Sequence, residues 1–434
     1  MEKTPIDSHC KTLDVGLHLA KTWGLFEFNN ERPGRYIAIV AFQIFNWVMT
    51  TALIILNIAD FIVNFDDLGE VSYNLGYIFP MLAGIIKAFT LLKHQKSIRK
   101  LLNDIHEPIT KLKYSSDLGA LTTIKMGVTY QNVDFIIFRI AATLVASTLI
   151  LPLPTILKTR QLPIRVVVPF DKDPDPIFEL VYIFELYGLL TVCMWTVIFD
   201  PMIMGFIRWI DVQSIILRAN YSHCNNLDIS RATFSMEEQD YTTIKNYKYF
   251  EVTPEQRKIR AFIPFSSEEA DVKNDSFVKR FTLCVKHHRR IINLINRFNS
   301  IYSVVLFAQI SSDCLLTCIG LFQMALALKK KRNIFRDIIM LGTGLIHLFY
   351  WSILGNQLIV EDDKLWKSIY ACGWENNIGS ESKQLVLNGL IQGLTPLEMK
   401  AGYFFVFSME TYLSVIQKSY SYFAILNTVM DEEE

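Results

Sequence analysis

Long runs without a charged residue dominate the chain. Tyr36–Ala59 holds 24 consecutive residues free of Asp, Glu, Lys and Arg, Ile338–Val360 holds 23, and Ile140–Leu157 holds 18. At 1.5 Å per residue such runs cross the roughly 30 Å hydrocarbon core of a bilayer. Four further stretches, about 72–92, 177–207, 298–328 and 401–430, are apolar with one or a few embedded charges. The pattern predicts an all-α membrane protein with seven transmembrane helices. The first run follows a 35-residue polar lead and has no small-residue cleavage site, so it reads as a span rather than a signal peptide.

Helix continuity is a second feature. From Ser276 to Leu328 there is no Pro and the only Gly is Gly320, so 53 residues can form one helix of about 80 Å. That helix overshoots the bilayer and projects into the cytosol. Two helices with a bend near Asn293–Ser300 fit the same residues. Residues 97–113 can extend the second span in the same way, and such extensions suit a cytosolic subunit-assembly domain. The polar stretch 220–275, with Pro254 and Pro264, reads as a mobile insert.

Composition excludes other classes. Of 434 residues, 51% are hydrophobic, 13% aromatic and only 20% charged, against about 25% charged in globular proteins. Net charge is zero, so there is no global field for nucleic acid. Orientation follows from Lys and Arg. With seven spans, the side carrying the N-terminus holds 30 basic residues and the other side 9. The N-terminus is therefore expected in the cytosol and the acidic C-terminus outside, with Lys329–Arg332 as the exception. A G-protein-coupled receptor has the opposite orientation. The sequons at Asn220 and Asn274 fall in a cytosolic loop and are expected to stay unused. Seven Cys without a CxxC pair indicate neither a disulfide framework nor a zinc ribbon. With no nucleophile-elbow, HExxH, Walker A or GxGxxG pattern, neither an enzyme nor a cofactor is expected.

The last span carries the clearest candidate chemistry. Thr411, Ser414, Lys418, Ser421, Ile425 and Thr428 recur at helical spacing on one face, with Tyr412, Ile416, Tyr420, Phe423 and Leu426 opposite. A polar stripe on a membrane helix faces water or protein. A pore wall and helix–helix packing through small residues both fit. Near the outer end the face turns apolar at Ile425 and Val429, as a dewetting gate or as ordinary packing. The outer halves of spans two, three, four and six gather Tyr73, Tyr77, Met81, Ser147, Leu151, Tyr182, Leu186, Ile339 and Gly342. They read as an apolar pocket for a small volatile or lipid-like ligand, or as plain bundle core. Intramembrane charges at Lys87, Arg139, Glu185, Asp200, Asp313 and Glu410 are functional candidates. Lys87 and Asp200 are expected to snorkel near span ends, and Glu185 and Asp313 to pair deeper in.

The C-terminal third carries an ordered set of residues: Gly355-Asn356-Gln357-Leu358, Glu361-Asp362, Ile369-Tyr370, Gly373-Trp374-Glu375, Pro396, Ala401-Gly402 and Lys418-Ser419-Tyr420-Ser421-Tyr422-Phe423. This order resembles the C-terminal signature of insect odorant receptors. The resemblance implies a subunit of a ligand-gated, non-selective cation channel with four subunits around one pore. It places a small volatile odorant among helices two, three, four and six, and an anchor domain in the cytosolic parts of helices four to seven. It puts the gate at Ile425 and Val429 with Thr428 between them, and Ser421 and Lys418 further along the pore wall. Where the co-receptor usually carries Gln near the last turn, this chain has Thr428 followed by an acidic tail. That implies an odorant-tuning subunit working in a heterotetramer with the co-receptor, embedded in membrane lipid at the plasma membrane of a sensory dendrite. The chain then divides into 1–35 (cytosolic N-terminus), 36–210 (helices 1–4 with the odorant-binding region), 211–275 (cytosolic loop), 276–400 (helices 5–6 and anchor) and 401–434 (pore helix and extracellular tail). A gustatory-receptor-like channel shares this architecture. A secondary transporter would show internal repeats, and none is found.

Overall fold

The computed structural model describes residues 11–23, 25, 33–150, 160, 162, 164–171, 174, 176–270, 275–331, 334–376 and 379–433. Within them run α1 (Lys11–Thr22), α2 (Pro33–Val63), α3 (Leu68–Lys93), α4 (Gln95–Leu112), α5 (Leu118–Ile150) and α6 (Ile177–Ser222). These are followed by α7 (Glu238–Asn246), α8 (Ser267–Ala270), α9 (Phe277–Lys329), α10 (Phe335–Tyr370), α11 (Ser380–Gln392) and α12 (Met409–Glu433). Five of them, α2, α3, α6, α9 and α10, are long and apolar enough to cross a membrane. The run expected at 140–157 coincides with α5 only as far as Ile150, and residues 151–157 lie outside the described residues.

The long helix forms without a break. Ser276 caps α9 by accepting the Lys279 N–H at 3.3 Å, and the helix passes through Asn293–Ser300 to Lys329. It touches α3, α4, α6, α10, α11 and α12, so it is the spine of the bundle. Gly320 lets α10 approach: a Cβ there would lie 3.2 Å from Leu341 Cβ. We call the end where α9 begins proximal and the end near Lys329 and Phe335 distal. The second structural axis is α6, whose stretch from Trp195 to Leu217 is almost wholly buried.

Residues 97–113 do not extend α3. His94 leaves the helical backbone (φ −105°, ψ 18°), and α4 starts anew. Its Ile98, Leu101, Ile105, Ile109 and Leu112, three or four residues apart, are buried in the main core.

The stretch 220–275 is docked rather than a free insert. Asp117 caps α5 at the Ala120 N–H (2.8 Å), and its other oxygen accepts Arg260 and Ala261 N–H at 2.8 and 2.9 Å. Gly119 permits this approach, because a Cβ would stand 2.2 Å from the Lys258 carbonyl oxygen. Asn220 is buried and exchanges two 2.8 Å hydrogen bonds with the backbone of Ile263. A glycan has no room there, and Asn274 lies outside the described residues. Asp275 receives Arg231 at 2.6 Å and Arg280 at 2.7 Å, and both guanidiniums flank the Phe262 ring. Burial alone lifts the Asp275 carboxyl, yet these two cations overrule it and hold it below the usual carboxylate range. The last helix also starts later than the apolar run at 401–430 indicates. Lys400–Ala401 and Phe405–Val406 pair as a small antiparallel hairpin (β1, β2) before α12 begins at Met409. Gly402 takes φ +64° in its turn and donates to the Ser303 carbonyl at 2.8 Å.

Candidate functional site

Four helices bring separated charges together. Lys87 of α3 pairs with Asp200 of α6 at 2.8 Å. His347 of α10 stands between carboxylates, its Nε2 2.9 Å from Asp200 and its Nδ1 3.0 Å from Asp313 of α9. Gln309 of α9 donates to Asp313 at 2.8 Å. Lys87 and Asp200 therefore do not snorkel. Both are buried, because Gly84 lets α3 close onto Val192 of α6 at this height. Asp313 finds the expected deep partner, and Glu185 accepts the Ile164 N–H at 3.2 Å. Sequence reading missed His347. Its signal was a single histidine inside a 23-residue run free of Asp, Glu, Lys and Arg.

A cavity of about 360 Å³ opens beside this network. Pro80 and Ala83 of α3, Ala141 and Val145 of α5, and Val192 and Thr196 of α6 form three walls. Ser312 and Leu316 of α9 with Met340 and Gly344 of α10 close it. At its rim, Ile140, Leu144 and Ile346 are exposed on the bundle surface.

The pocket residues expected from sequence lie on these helices or beside them, and none lines the cavity. Tyr73 and Tyr77 pack ring to ring at 5.5 Å, and Arg336 covers Tyr73 at 4.4 Å while donating to its hydroxyl at 2.6 Å. Tyr77 and Met81 join a distal cluster with Leu53, Val181 and Val192, and Leu186 packs against both this cluster and the Phe178–Tyr182 pair. Val192 belongs to cluster and cavity alike, so the cluster sits next to the cavity on its distal side. Ser147 donates to the Leu144 carbonyl of its own helix at 2.6 Å. Ile339 is half-buried, and a Cβ on Gly342 would meet open space. Leu151 lies outside the described residues.

On α12 only the first turns of the stripe meet the rest of the chain: Thr411 donates to the Val406 carbonyl at 2.7 Å, and Thr411, Ser414 and Lys418 border Ser311 and Cys314 of α9. Lys418, Ser421, Ile425 and Thr428 are exposed, Ile425 by 60%. Ser421 and Thr428 satisfy their hydroxyls on carbonyls of their own helix, at 3.0 and 2.9 Å. The buried edge is another one: it carries Val415 and Ser419, and Ser419 donates to the Cys314 carbonyl at 3.2 Å. Tyr412, expected opposite the stripe, meets Phe349 at 5.3 Å. The Val429 side chain lies outside the described residues.

The C-terminal motif residues are joints between these elements. A Cβ on Gly355 would stand 2.2 Å from the Phe407 carbonyl oxygen, so only Gly lets α10 meet the strand that enters α12. Gln357 accepts from Arg208 at 3.3 Å and donates to Asp211 at 2.6 Å, tying α10 to α6. Asp362 accepts the Leu397 N–H at 3.0 Å. Residues 67–420 match the family described as 7tm Odorant receptor. The chain belongs to this odorant receptor family. Odorant receptor 65a of Drosophila melanogaster is 28% identical over 158 residues, a match spanning 36% of this chain and 38% of that receptor. Odorant receptor 13a of the same species is 19% identical over 454 aligned residues, covering 97% and 95% of the two chains. The solved structure of the insect olfactory receptor OR5 from Machilis hrabei in complex with eugenol superposes with a TM-score of 0.73 at 12% identity. It covers 96% of this chain and 97% of that one, so this odorant receptor shares its fold: a multi-pass, all-α membrane protein.

Proposed function

We propose that the chain is the odorant-tuning subunit of a ligand-gated, non-selective cation channel. A small volatile settles in the cavity between α3, α5, α6, α9 and α10, next to the Tyr73–Tyr77–Met81 cluster. The pore is shared with co-receptor subunits in a heterotetramer at the plasma membrane. The N-terminus is cytosolic, the distal end faces outward, and α12 lines the pore with Ile425 and Val429 as its gate. Residues 276–400 contribute the cytosolic anchor.

One observation carries this reading: α9 serves cavity and pore helix at adjacent residues. Ser312 and Asp313 face the cavity, while Ser311 and Cys314 face α12, whose Ser419 holds the Cys314 carbonyl. A ligand that re-seats α9 by a fraction of a turn acts on α12 without an intermediary. Its differential affinity for the two arrangements sets how far the gate moves. The exposed stripe on α12 suits a helix whose partners are other subunits and water.

The test is whole-cell recording in a heterologous cell, with and without the co-receptor, during rapid application of volatiles. Fast cation current that needs the co-receptor and persists under G-protein blockade is the expected outcome. Surface complexes that signal only through G proteins, or a tag placing the N-terminus outside, would overturn it.

A further inference from the structure

The cavity is mostly apolar, with polar groups from α9 (Gln309, Ser312, Asp313), from Lys87 and Thr196, and from Thr343, His347 and Tyr350 of α10. Ser312 is 4% exposed and lines the cavity, and its hydroxyl makes no hydrogen bond among the described residues. One turn earlier, Gln309 is held in a fixed orientation. Its amide nitrogen donates to Asp313, which as a carboxylate accepts only. Its Oε1 is thereby left as a buried acceptor without a partner. Across the space, Thr196 of α6 presents a hydroxyl also without a hydrogen-bond partner among the described residues. Buried polar groups left unpaired are costly and are ordinarily satisfied. Here they border a space large enough for a ligand, Gln309 and Ser312 on the α9 side and Thr196 on the α6 side.

The complementary group must donate to an amide oxygen and accept from a serine hydroxyl. It must also be neutral. The charges that border the cavity are closed on one another: Lys87 on Asp200, and His347 between Asp200 and Asp313. A charged ligand would be buried without a counter-charge of its own. The wall from α5 and the Met340 side of α10 offer hydrocarbon to the rest of the molecule, near Ala141, Val145 and Met340.

We propose that this cavity selects a neutral alcohol, aliphatic or phenolic. The ligand hydroxyl donates to Gln309 Oε1 and accepts from Ser312, and the hydrocarbon body lies against α5 and α10. The inference rests on the cavity being the ligand seat of the channel proposed above.

The test uses cells expressing the chain with the co-receptor. The probes are primary alkanols of graded length and simple phenols, each beside its methyl ether and parent hydrocarbon, together with esters and ketones. Alcohols are expected to activate at about 3- to 10-fold lower concentration than their ethers, the size of one neutral hydrogen bond. Gln309→Met removes the acceptor and narrows that gap toward parity, with ether currents still present as the sign that the variant folds. Ser312→Ala weakens alcohol and ether together relative to the parent hydrocarbon, because both oxygens accept, and Ser312→Thr restores both. Equal potency of alcohol and ether, or a gap that survives Gln309→Met, overturns the proposal. Currents evoked by esters or ketones but by no alcohol overturn it while leaving the channel reading standing. Silence to the whole panel from complexes at the cell surface overturns both.

Discussion

The proximal and distal ends of the bundle treat polar and small residues differently. Proximally, the docked stretch 220–275, α4 and the first half of α9 interlock. Asp117, Asn220 and Asp275 each bind backbone or guanidinium groups from another part of the chain. Gly119 marks a contact too close for any side chain. Distally, a cavity persists, Gly342 faces open space and α12 keeps one face unpacked. Close-packed interiors resist small changes in shape, whereas free volume bounded by apolar side chains can be filled or lost at modest cost. The difference separates a tightly interlocked end from one that keeps free volume, with the Lys87–Asp200–His347–Asp313 network at the boundary.

The boundary network gives the largest expected effect. Lys87→Met leaves Asp200 buried with His347 alone and should cost about 3–5 kcal/mol. Adding Asp200→Leu should return part of the loss. Thermal unfolding in detergent, followed by fluorescence-detected gel filtration, reads both. A single variant as stable as the parent would mean that the network is not a structural boundary.

Glycine scanning sharpens the contrast between the ends. Gly119→Ala and Gly355→Ala place a Cβ 2.2 Å from a carbonyl oxygen, which must shift the backbone, at about 1–3 kcal/mol or more. Gly342→Ala meets nothing and, in a helix, should be neutral or stabilising by about 0.5–1 kcal/mol. The same melting assay ranks the three, and equal losses would erase the distinction.

On α12 the expected effect is on current rather than stability. Ile425→Ser or Val429→Ser should wet the closed pore and raise ligand-free cation current. Tyr412→Ala and Ile416→Ala should lower surface expression without leak. Basal recordings of the four variants decide the matter. Gate variants that stay silent at rest yet conduct normally with ligand would turn the stripe into a subunit contact.

The smallest effect is on pH. Asp275 has its folded carboxyl held below the ordinary range, so the stability it contributes is present above that range and is lost only as pH falls through the lower folded value. Docking of 220–275 should therefore be flat from about pH 5 to 8 and loosen only in stronger acid, below about pH 4. Limited proteolysis across pH measures this. Asp275→Asn should make cleavage faster at neutral pH and remove its acid dependence.

Much of the scaffold was legible in residue order. Ser276 followed by 53 residues without Pro became one helix with Ser276 as its cap. Other elements were not legible. The polarity of 220–275 suggested a free insert because its partners, Asp117 and Arg280, lie outside it in sequence. The apolar run at 401–430 hid a hairpin whose turn exists because Gly402 donates to Ser303 of another helix. Tyr73, Tyr77 and Met81 read from the sequence as pocket residues and lie in an apolar cluster beside the cavity, because burial in a cluster and exposure to a cavity leave the same mark on a sequence.

Local chemistry, then, determined what each segment of this chain is. Apolar length sets which helices suit a bilayer, helical spacing sets the stripe on α12, and an ordered motif sets the family. Tertiary structure alone decided which residues meet. Lys87, Asp200, Asp313 and His347 lie on four helices, and only the crossing of those helices closes their charges on one another. The cavity likewise is space that five packed helices fail to fill, with Ser312 along it and the Gln309 amide oxygen unpaired. Periodicity reports which face of a helix avoids water. It carries no information on whether that face meets a side chain, lipid or an empty space, because all three are equally apolar.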